Sequence, residues 1–347
     1  MIVFIDFETH LISDDTPIPK PICISFYDGN KDGILIGQDI EDFLTRIFKD
    51  EHIKIGAHNA AFELNVITKY YPNLKPFLYK KLNNKKIICT KIYEQLLDCV
   101  RKHPIGIFNL AALVLKYFNI DISEDKKNPN AWRLRYHELE NVPLCDWPKE
   151  AINYAKYDSI YAYDIYKNQL LEADIDISLS VSADYYLNRM GSTGILIEQT
   201  RVSTIEEELK NQISVHKEIL QKHEILIQDK KGLKRNMKAF KALLKKKLPN
   251  IRYTAKGSIS TSNEDLNHYL TLISKNDYLY SLLNSFLNIM SVEKVLTAFT
   301  SRLKKATPYI RTQYNAVVSS GRTSSFTSDN FASVNIQQMP REIREII

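Results

Sequence analysis

Glycine is scarce in this chain, with 10 in 347 residues, about 3% against a usual ~7%. That argues against a Gly-rich nucleotide-binding protein. The four cysteines, Cys23, Cys89, Cys99 and Cys145, never form a C-x-x-C pair. Neither a zinc site nor a disulfide framework is indicated, and a reducing compartment fits. No apolar run approaches ~18 residues, so no transmembrane helix and no membrane partner are expected. The opening Met1-Ile-Val-Phe-Ile-Asp6 meets an acid with no basic residue before it, unlike a secretory signal. The expectation from these absences is a cytoplasmic protein, in the cytoplasm of a host if the chain is viral. The composition, 44% hydrophobic and 25% charged, is that of a folded chain. At ~150 residues per domain the length gives about two domains.

Charge is present but uneven. Residues 1–178 hold 22 Lys and Arg against 26 Asp and Glu, whereas residues 179–347 hold 25 against 15. A front half of net −4 precedes a rear half of net +10. The front half is suited to a metal and the rear half to an anion, of which nucleic acid is the obvious one. Within the rear half, Lys230–Lys247 carries nine basic residues and no acid. Such a run is a solvated face unless the rest of the chain implies DNA, in which case Lys230, Lys231, Lys234 and Arg235 become phosphate contacts.

Apolar runs bounded by turn residues predict strands over Ile2–Thr9, Pro21–Tyr27 and Gly33–Ile36. Ile40, Phe43, Leu44 and Ile47 have helical spacing, and short strands over Ile53–Ala57 and Lys86–Cys89 flank a helix carrying Phe62, Val66, Ile67 and Tyr70. Helices are also expected over Phe108–Phe118 and Pro148–Leu171, the latter opened by its proline. Three leading strands followed by alternating helix and strand predict an α/β domain with a mixed sheet, ending near Asp176. Residues 185–197, with two glycines, read as a short link and strand. Val202 to Leu220 and Leu279 to Met290 read as amphipathic helices.

Three short segments carry candidate chemistry. Asp6 and Glu8 are two apart in a strand, so both carboxylates face one side. Carboxylates held together repel unless a cation sits between them, and a hard cation with oxygen ligands is the natural partner. Asn59 and Glu63 lie at a strand–helix junction, Asn59 as an apparent N-cap with Phe62 packed inward. Tyr154 and Asp158 are i,i+4 on one helical face. Each segment alone has an ordinary structural reading.

Together they are specific. D-x-E in the first strand, N-x-x-[FY]-acid at a later strand–helix turn and Y-x-x-x-D on a late helix resemble the tyrosine-type DEDD 3′–5′ exonucleases, which have a ribonuclease-H-like fold. The resemblance covers about residues 1–176. It implies that Asp6, Glu8, Glu63 and Asp158 are the acidic, metal-binding set, that Tyr154 orients the attacking water, and that Asn59 and Phe62 contact DNA. It also implies two Mg²⁺ or Mn²⁺ ions that activate a water and neutralise the leaving 3′-oxygen. Glu63 stands where the family's second motif usually ends in Asp, a substitution that phage-type relatives tolerate.

The rear half carries a second resemblance. Ser320-Gly-Arg-Thr-Ser-Ser325 and Val334-Asn-Ile-Gln-Gln-Met-Pro-Arg341 resemble the T-G-R-x-S-S and N-L-Q-N-I-P-x-R signature of family A DNA polymerases. Thr254-Ala-Lys-Gly-Ser-Ile-Ser-Thr261 resembles their T-x-K-G-x-x-S-T segment, and Met190-Gly-Ser-Thr-Gly-Ile resembles their lead-in to the thumb. The phage-encoded type is the most similar. By motif position, Arg322, Ser324, Asn335 and Gln337 would contact primer–template DNA. The resemblance implies an exonuclease domain over 1–178, a mainly helical thumb over 179–310 and the start of a palm over 311–347. In the family the palm acids and fingers follow these motifs. The expectation is therefore a piece excised from a polymerase, an incomplete product, or half of a split polymerase whose second polypeptide supplies palm and fingers. Such a chain would degrade DNA but not extend a primer. Two other readings fit the same residues: a stand-alone exonuclease acting on RNA or single-stranded DNA, and a non-catalytic DNA clamp with a degenerate exonuclease fold.

Overall fold

The computed structural model describes residues 1–101, 106–123, 128–229, 232–306, 308–318, 322–327 and 332–344, with only the backbone at 229 and 342. It divides into two compact units: Met1–Ile195 with Arg311–Gln338, and Leu196–Ile310 with Met339–Ile347. Among the described residues no helix is long and apolar enough to cross a membrane.

The first unit contains, in chain order, β1 (Ile2–Thr9), β2 (Pro21–Tyr27), β3 (Asp32–Ile36), α1 (Gln38–Lys49), β4 (Lys54–Ala57), α2 (Ala60–Tyr70), α3 (Lys75–Asn83), β5 (Ile87–Cys89), α4 (Thr90–Val100), α5 (Leu110–Phe118), α6 (Lys149–Glu172) and α7 (Ser178–Thr193). The strands form one sheet in the order β3-β2-β1-β4-β5. β1, β2 and β3 pair antiparallel, whereas β1, β4 and β5 pair parallel. The turn between β2 and β3 is closed by Asp28, whose Oδ1 accepts the backbone N–H groups of Asn30 and Lys31. β4 and β5 each return through helices, as parallel pairing requires. This is the expected mixed-sheet α/β, ribonuclease-H-like domain.

β1 sits mid-sheet, and Val3, Phe4, Ile5 and Phe7 are all buried. α6 crosses the sheet against β1 and β2. Over its first four turns its buried face is Ala151, Ala155, Ser159 and Ala162, small side chains that let helix and sheet approach closely, and the larger Ile165, Tyr166 and Gln169 are buried beyond them. That approach brings the helix's Tyr154 and Asp158 to the end of β1 that carries Asp6 and Glu8.

Residues 185–197 depart from the expected link and strand. Ser178–Thr193 is helical, and only Ile195–Leu196 is extended. Packing on α2 outweighs the glycine penalty. Val181 and Tyr185 are buried, the Tyr185 hydroxyl hydrogen-bonds Thr68 Oγ1 at 2.9 Å, and Asn65 donates to Asn188 at 3.0 Å. Gly191 is required inside this helix, because a Cβ there would stand 2.1 Å from the Thr312 carbonyl oxygen. Gly194, at φ +77°, ends it. The first unit runs to residue 195 and takes in residues 311–338. In that returning segment β8 (Gln313–Asn315) and β9 (Ser324–Phe326) form an antiparallel pair.

The second unit is mainly helical, as expected for the region after the exonuclease-like part. It contains α8 (Gln199–Lys222), a hairpin of two strands, β6 (Leu226–Asp229) and β7 (Gly232–Arg235), then α9 (Met237–Lys247), α10 (Asn263–Thr271) and α11 (Tyr278–Val295). Its core holds Ile213, Leu220, Phe240, Leu244, Leu282 and Phe286, with the Phe240 and Phe286 rings stacked 4.2 Å apart. The basic run is therefore not a uniform solvated face. Phe240 and Leu244 give α9 an apolar stripe, while Lys245 and Lys246 are exposed.

Gly191→Ala should destabilise the protein by about 1–3 kcal/mol, the usual cost of overpacking against an unyielding neighbour. Urea denaturation checks this, and an unchanged midpoint would contradict the close approach to Thr312.

Candidate functional site

β1, β4 and β5 run parallel, so their C-terminal ends lie on one edge of the sheet, where α/β folds place ligands. A cleft of about 840 Å³ opens there, lined by Asp6, Glu8, Glu63, Tyr154 and Asp158 together with Asn59 and Phe62. One carboxylate oxygen from each of Asp6, Glu8 and Asp158 lies within 4.8 Å of the other two. Two of these acids come from alternate residues of β1 and the third from α6.

Glu63 stands outside that triad. It is 3% exposed, one turn into α2, and its Oε2 accepts the Phe7 backbone N–H at 3.1 Å. The β4 ladder on β1 reaches only Phe4, so a side chain past its end satisfies that donor. Burial raises the Glu63 pKa well above its usual range, and Asp6, Glu8 and Asp158 raise it further against the lowering effect of the Phe7 N–H.

Other neighbours register the same negative field. Burial, then Glu8 and Asp6, push up the Cys23 thiol, which faces Glu8 across the β1–β2 pair. Burial, then Asp158, Glu8 and Asp6, push up the Tyr154 phenol, with Arg133 opposing. Tyr154 thus stays protonated at neutral pH and can donate a hydrogen bond.

Asn59 does not cap α2 through its side chain. It is left-handed (φ 64°, ψ 47°), and its Oδ1 accepts from Lys91 Nζ at 3.0 Å. Asn tolerates this conformation better than other non-glycine residues. Phe62 is half-buried, with part of its surface in the cleft rather than wholly inward. The cleft also gathers His58, Lys91, Gln95, Phe108, Asn109, Arg133 and Asn315. No sequence spacing marks these. Lys91 and Gln95 arrive because Ala57 of β4 and Cys89 of β5 are register partners, which sets the two strand–helix junctions side by side. His58 pairs with Thr90 Oγ1 at 2.8 Å across the same junctions. Its place next to Asn59 in sequence is the one signal that could have pointed to it.

Residues 2–173 match a family model of the 3′–5′ exonuclease domain of family A DNA polymerases. That stretch is a 3′–5′ exonuclease domain. No curated protein matches the chain. Among solved structures, the POL domain of Pol1 from M. smegmatis in complex with DNA primer-template and dNTP is similar, with a TM-score of 0.64 and 15% identity, over 99% of this chain and 53% of its own. That likeness concerns fold, and the chain spans about half the length of that structure.

The polymerase-like motifs fall partly within the exonuclease domain's own unit. Ser324 begins β9 and accepts from Asn315 at 3.4 Å, and Arg322 is exposed just before it. Asn335 and Gln337 hold this strand by side-chain hydrogen bonds: Ser325 donates its hydroxyl to Asn335 Oδ1 at 2.5 Å and its backbone N–H to Gln337 Oε1 at 2.8 Å. In the second unit Lys234 is exposed, but Arg235 pairs with Glu293 and lies 5.4 Å from the Phe286 ring centroid. Lys230 and Lys231 fall outside the described residues.

The raised pKa of Glu63 carries a sign. Its ordinary value is 4.5. Below that pH the group is protonated folded or unfolded and costs nothing. As pH rises toward the folded pKa, ionisation progressively destabilises the native state. Without metal, Glu63→Gln should melt a few °C above wild type at pH 8, at about 2–4 °C per kcal/mol for a folding unit of the first unit's size, and the gap should close near pH 4. Calorimetry in EDTA reads this directly, and a variant melting below wild type at pH 8 would contradict it.

Proposed function

We propose that the exonuclease domain removes nucleotides from DNA 3′ ends with divalent metal ions, as the proofreading part of a phage-type family A DNA polymerase. On this reading the second unit acts as the duplex-holding thumb and residues from 311 onward as the beginning of the palm. The observation that carries the nuclease reading is the Asp6–Glu8–Asp158 triad beside a protonated Tyr154 in a cleft of the matched domain. The similar M. smegmatis polymerase domain is bound to a primer-template, and the net +10 of residues 179–347 supports DNA as the partner here as well.

The donor set fits hard divalent cations. It is all oxygen, it is crowded with like charge, and it perturbs Glu63, Cys23 and Tyr154 in the sense that an added positive charge would relieve. Asp6, Glu8 and Asp158, with Glu63, would hold two Mg²⁺ or Mn²⁺ ions. Such ions supply a water of lowered pKa and neutralise charge on the leaving 3′-oxygen. The protein's own groups do the rest. Tyr154 donates a hydrogen bond that orients the attacking water. Asn59, held by Lys91, and the half-exposed Phe62 ring position the 3′-terminal nucleotide. Glu63, fixed by the Phe7 N–H, keeps its longer arm in one place, which accounts for a Glu serving where relatives use Asp.

Asp6→Ala should lower 3′-end digestion of single-stranded DNA by more than about 1,000-fold, beyond the worth of one positioned donor. Tyr154→Phe should slow it by roughly 10- to 1,000-fold while calorimetric Mn²⁺ binding stays intact. A fully active Asp6→Ala protein, or a Tyr154→Phe protein unable to bind metal, would overturn these roles. Comparing DNA with RNA 3′ ends tests the substrate.

The thumb reading has its own test. Duplex affinity should fall with salt at a log–log slope of about 0.9 per neutralised phosphate. Lys245→Glu together with Lys246→Glu should flatten that slope, and an unchanged slope would make α9 a solvated surface.

A further inference from the structure

The wall of the exonuclease cleft is not wholly acidic. Among its described lining residues, Lys91 and Arg133 carry a fixed positive charge, and Lys91 Nζ is engaged by Asn59 Oδ1 at 3.0 Å. Arg133 is exposed and comes from a short 3-10 turn, Trp132–Leu134. Nothing in the nuclease reading uses it.

The turn is packed so as to hold that side chain beside Tyr154. The Trp132 ring lies 6.2 Å from the Tyr136 ring, which lies 6.3 Å from the Tyr154 ring. Tyr136 is fully buried, and its hydroxyl donates to the Ala151 carbonyl of α6 at 2.7 Å. Two residues after Arg133, Arg135 faces another way. It donates to the two carboxylate oxygens of Glu138 at 2.9 and 2.7 Å, and its guanidinium lies 4.5 Å from the Trp132 ring centroid. One arginine thus pins the turn, and the other lines the cleft. The Tyr154 phenol registers the second, because the Arg133 charge opposes the upward push of the acids.

Charge shows what Arg133 would meet there. On the nuclease reading two divalent ions balance Asp6, Glu8, Glu63 and Asp158. The phosphodiester brings a further negative charge, spread over its non-bridging oxygens as phosphoryl transfer proceeds. Tyr154 is neutral and cannot balance it. A guanidinium is always charged, and its rigid planar fork matches phosphate oxygens. That fork carries five N–H donors, so contacts within the protein leave others for a ligand.

We propose that Arg133 is a catalytic residue of the nuclease, its guanidinium donating to a non-bridging oxygen of the scissile phosphate next to the water that Tyr154 orients. The contact strengthens as charge builds on that oxygen, so it lowers the barrier more than it tightens substrate binding. The guanidinium stays protonated throughout and forms no covalent bond.

This inference rests on the nuclease reading, and the experiment separates the two. Arg133→Ala should lower kcat on single-stranded DNA by roughly 100-fold, the scale of one positioned donor at developing charge, with a smaller change in KM. Arg133→Lys keeps the charge without the fork and should recover part of that loss. The second readout is binding, by fluorescence anisotropy in Ca²⁺, whose loose coordination suits binding better than catalysis. A methylphosphonate at the 3′-terminal linkage removes the charge of the scissile phosphate. It should weaken binding to wild type by roughly 10-fold more than binding to Arg133→Ala, the worth of one hydrogen bond to a charged group. A methylphosphonate several linkages upstream should affect both proteins equally. A kcat unchanged in Arg133→Ala, or equal penalties at the 3′-terminal linkage in the two proteins, overturns the role of Arg133 alone. No metal-dependent digestion by wild type overturns the nuclease reading and this role with it.

Discussion

Repulsion among carboxylates shapes the first unit. Asp6, Glu8 and Asp158 hold oxygens within 4.8 Å of one another, and Glu63 is buried nearby with its pKa raised by burial and by all three. Like charges this close separate unless the scaffold is stiff. Stiffness comes from β1, paired on both sides and packed by Phe4, Ile5 and Phe7, and from the small-residue face of α6. On the proposed reading, stability is given up at the site for cation binding, a trade that folded enzymes commonly make. The Phe7 N–H to Glu63 bond shows how the two demands meet, since one contact satisfies an orphan donor and fixes an acid.

Much of this was legible in the sequence. The apolar runs of β1, β2 and β3 and the i,i+2 and i,i+4 spacing of the acids and tyrosine located the sheet and the cluster. What was hidden depended on pairing and packing. The β4–β5 register brought Lys91 and Gln95 to the cleft, and no local pattern encodes register between strands so far apart in sequence. The helicity of Ser178–Thr193 was masked by Gly191 and Gly194, because propensity is a weak prior against a buried Tyr185. Asn59 looked like a cap because cap residues and left-handed residues share the same chemistry.

The rear motifs have a structural role of their own. The two signature blocks are hydrogen-bonded to each other through Ser325, Asn335 and Gln337, so a change in either block would loosen the strand that presents Arg322 and Ser324. The basic run divides in a similar way, with Arg235 committed to Glu293 and Phe286 and the exposed lysines of α9 left to face solvent or phosphate.

The central claim is that the Asp6, Glu8, Glu63 and Asp158 cluster is a divalent-cation site. Anomalous diffraction from crystals soaked in Mn²⁺ tests it most directly. The account predicts Mn²⁺ peaks in contact with Asp6, Glu8 and Asp158, at least one of them also within reach of Glu63. A cleft without anomalous density at saturating Mn²⁺, or with peaks only at other carboxylates, would contradict it.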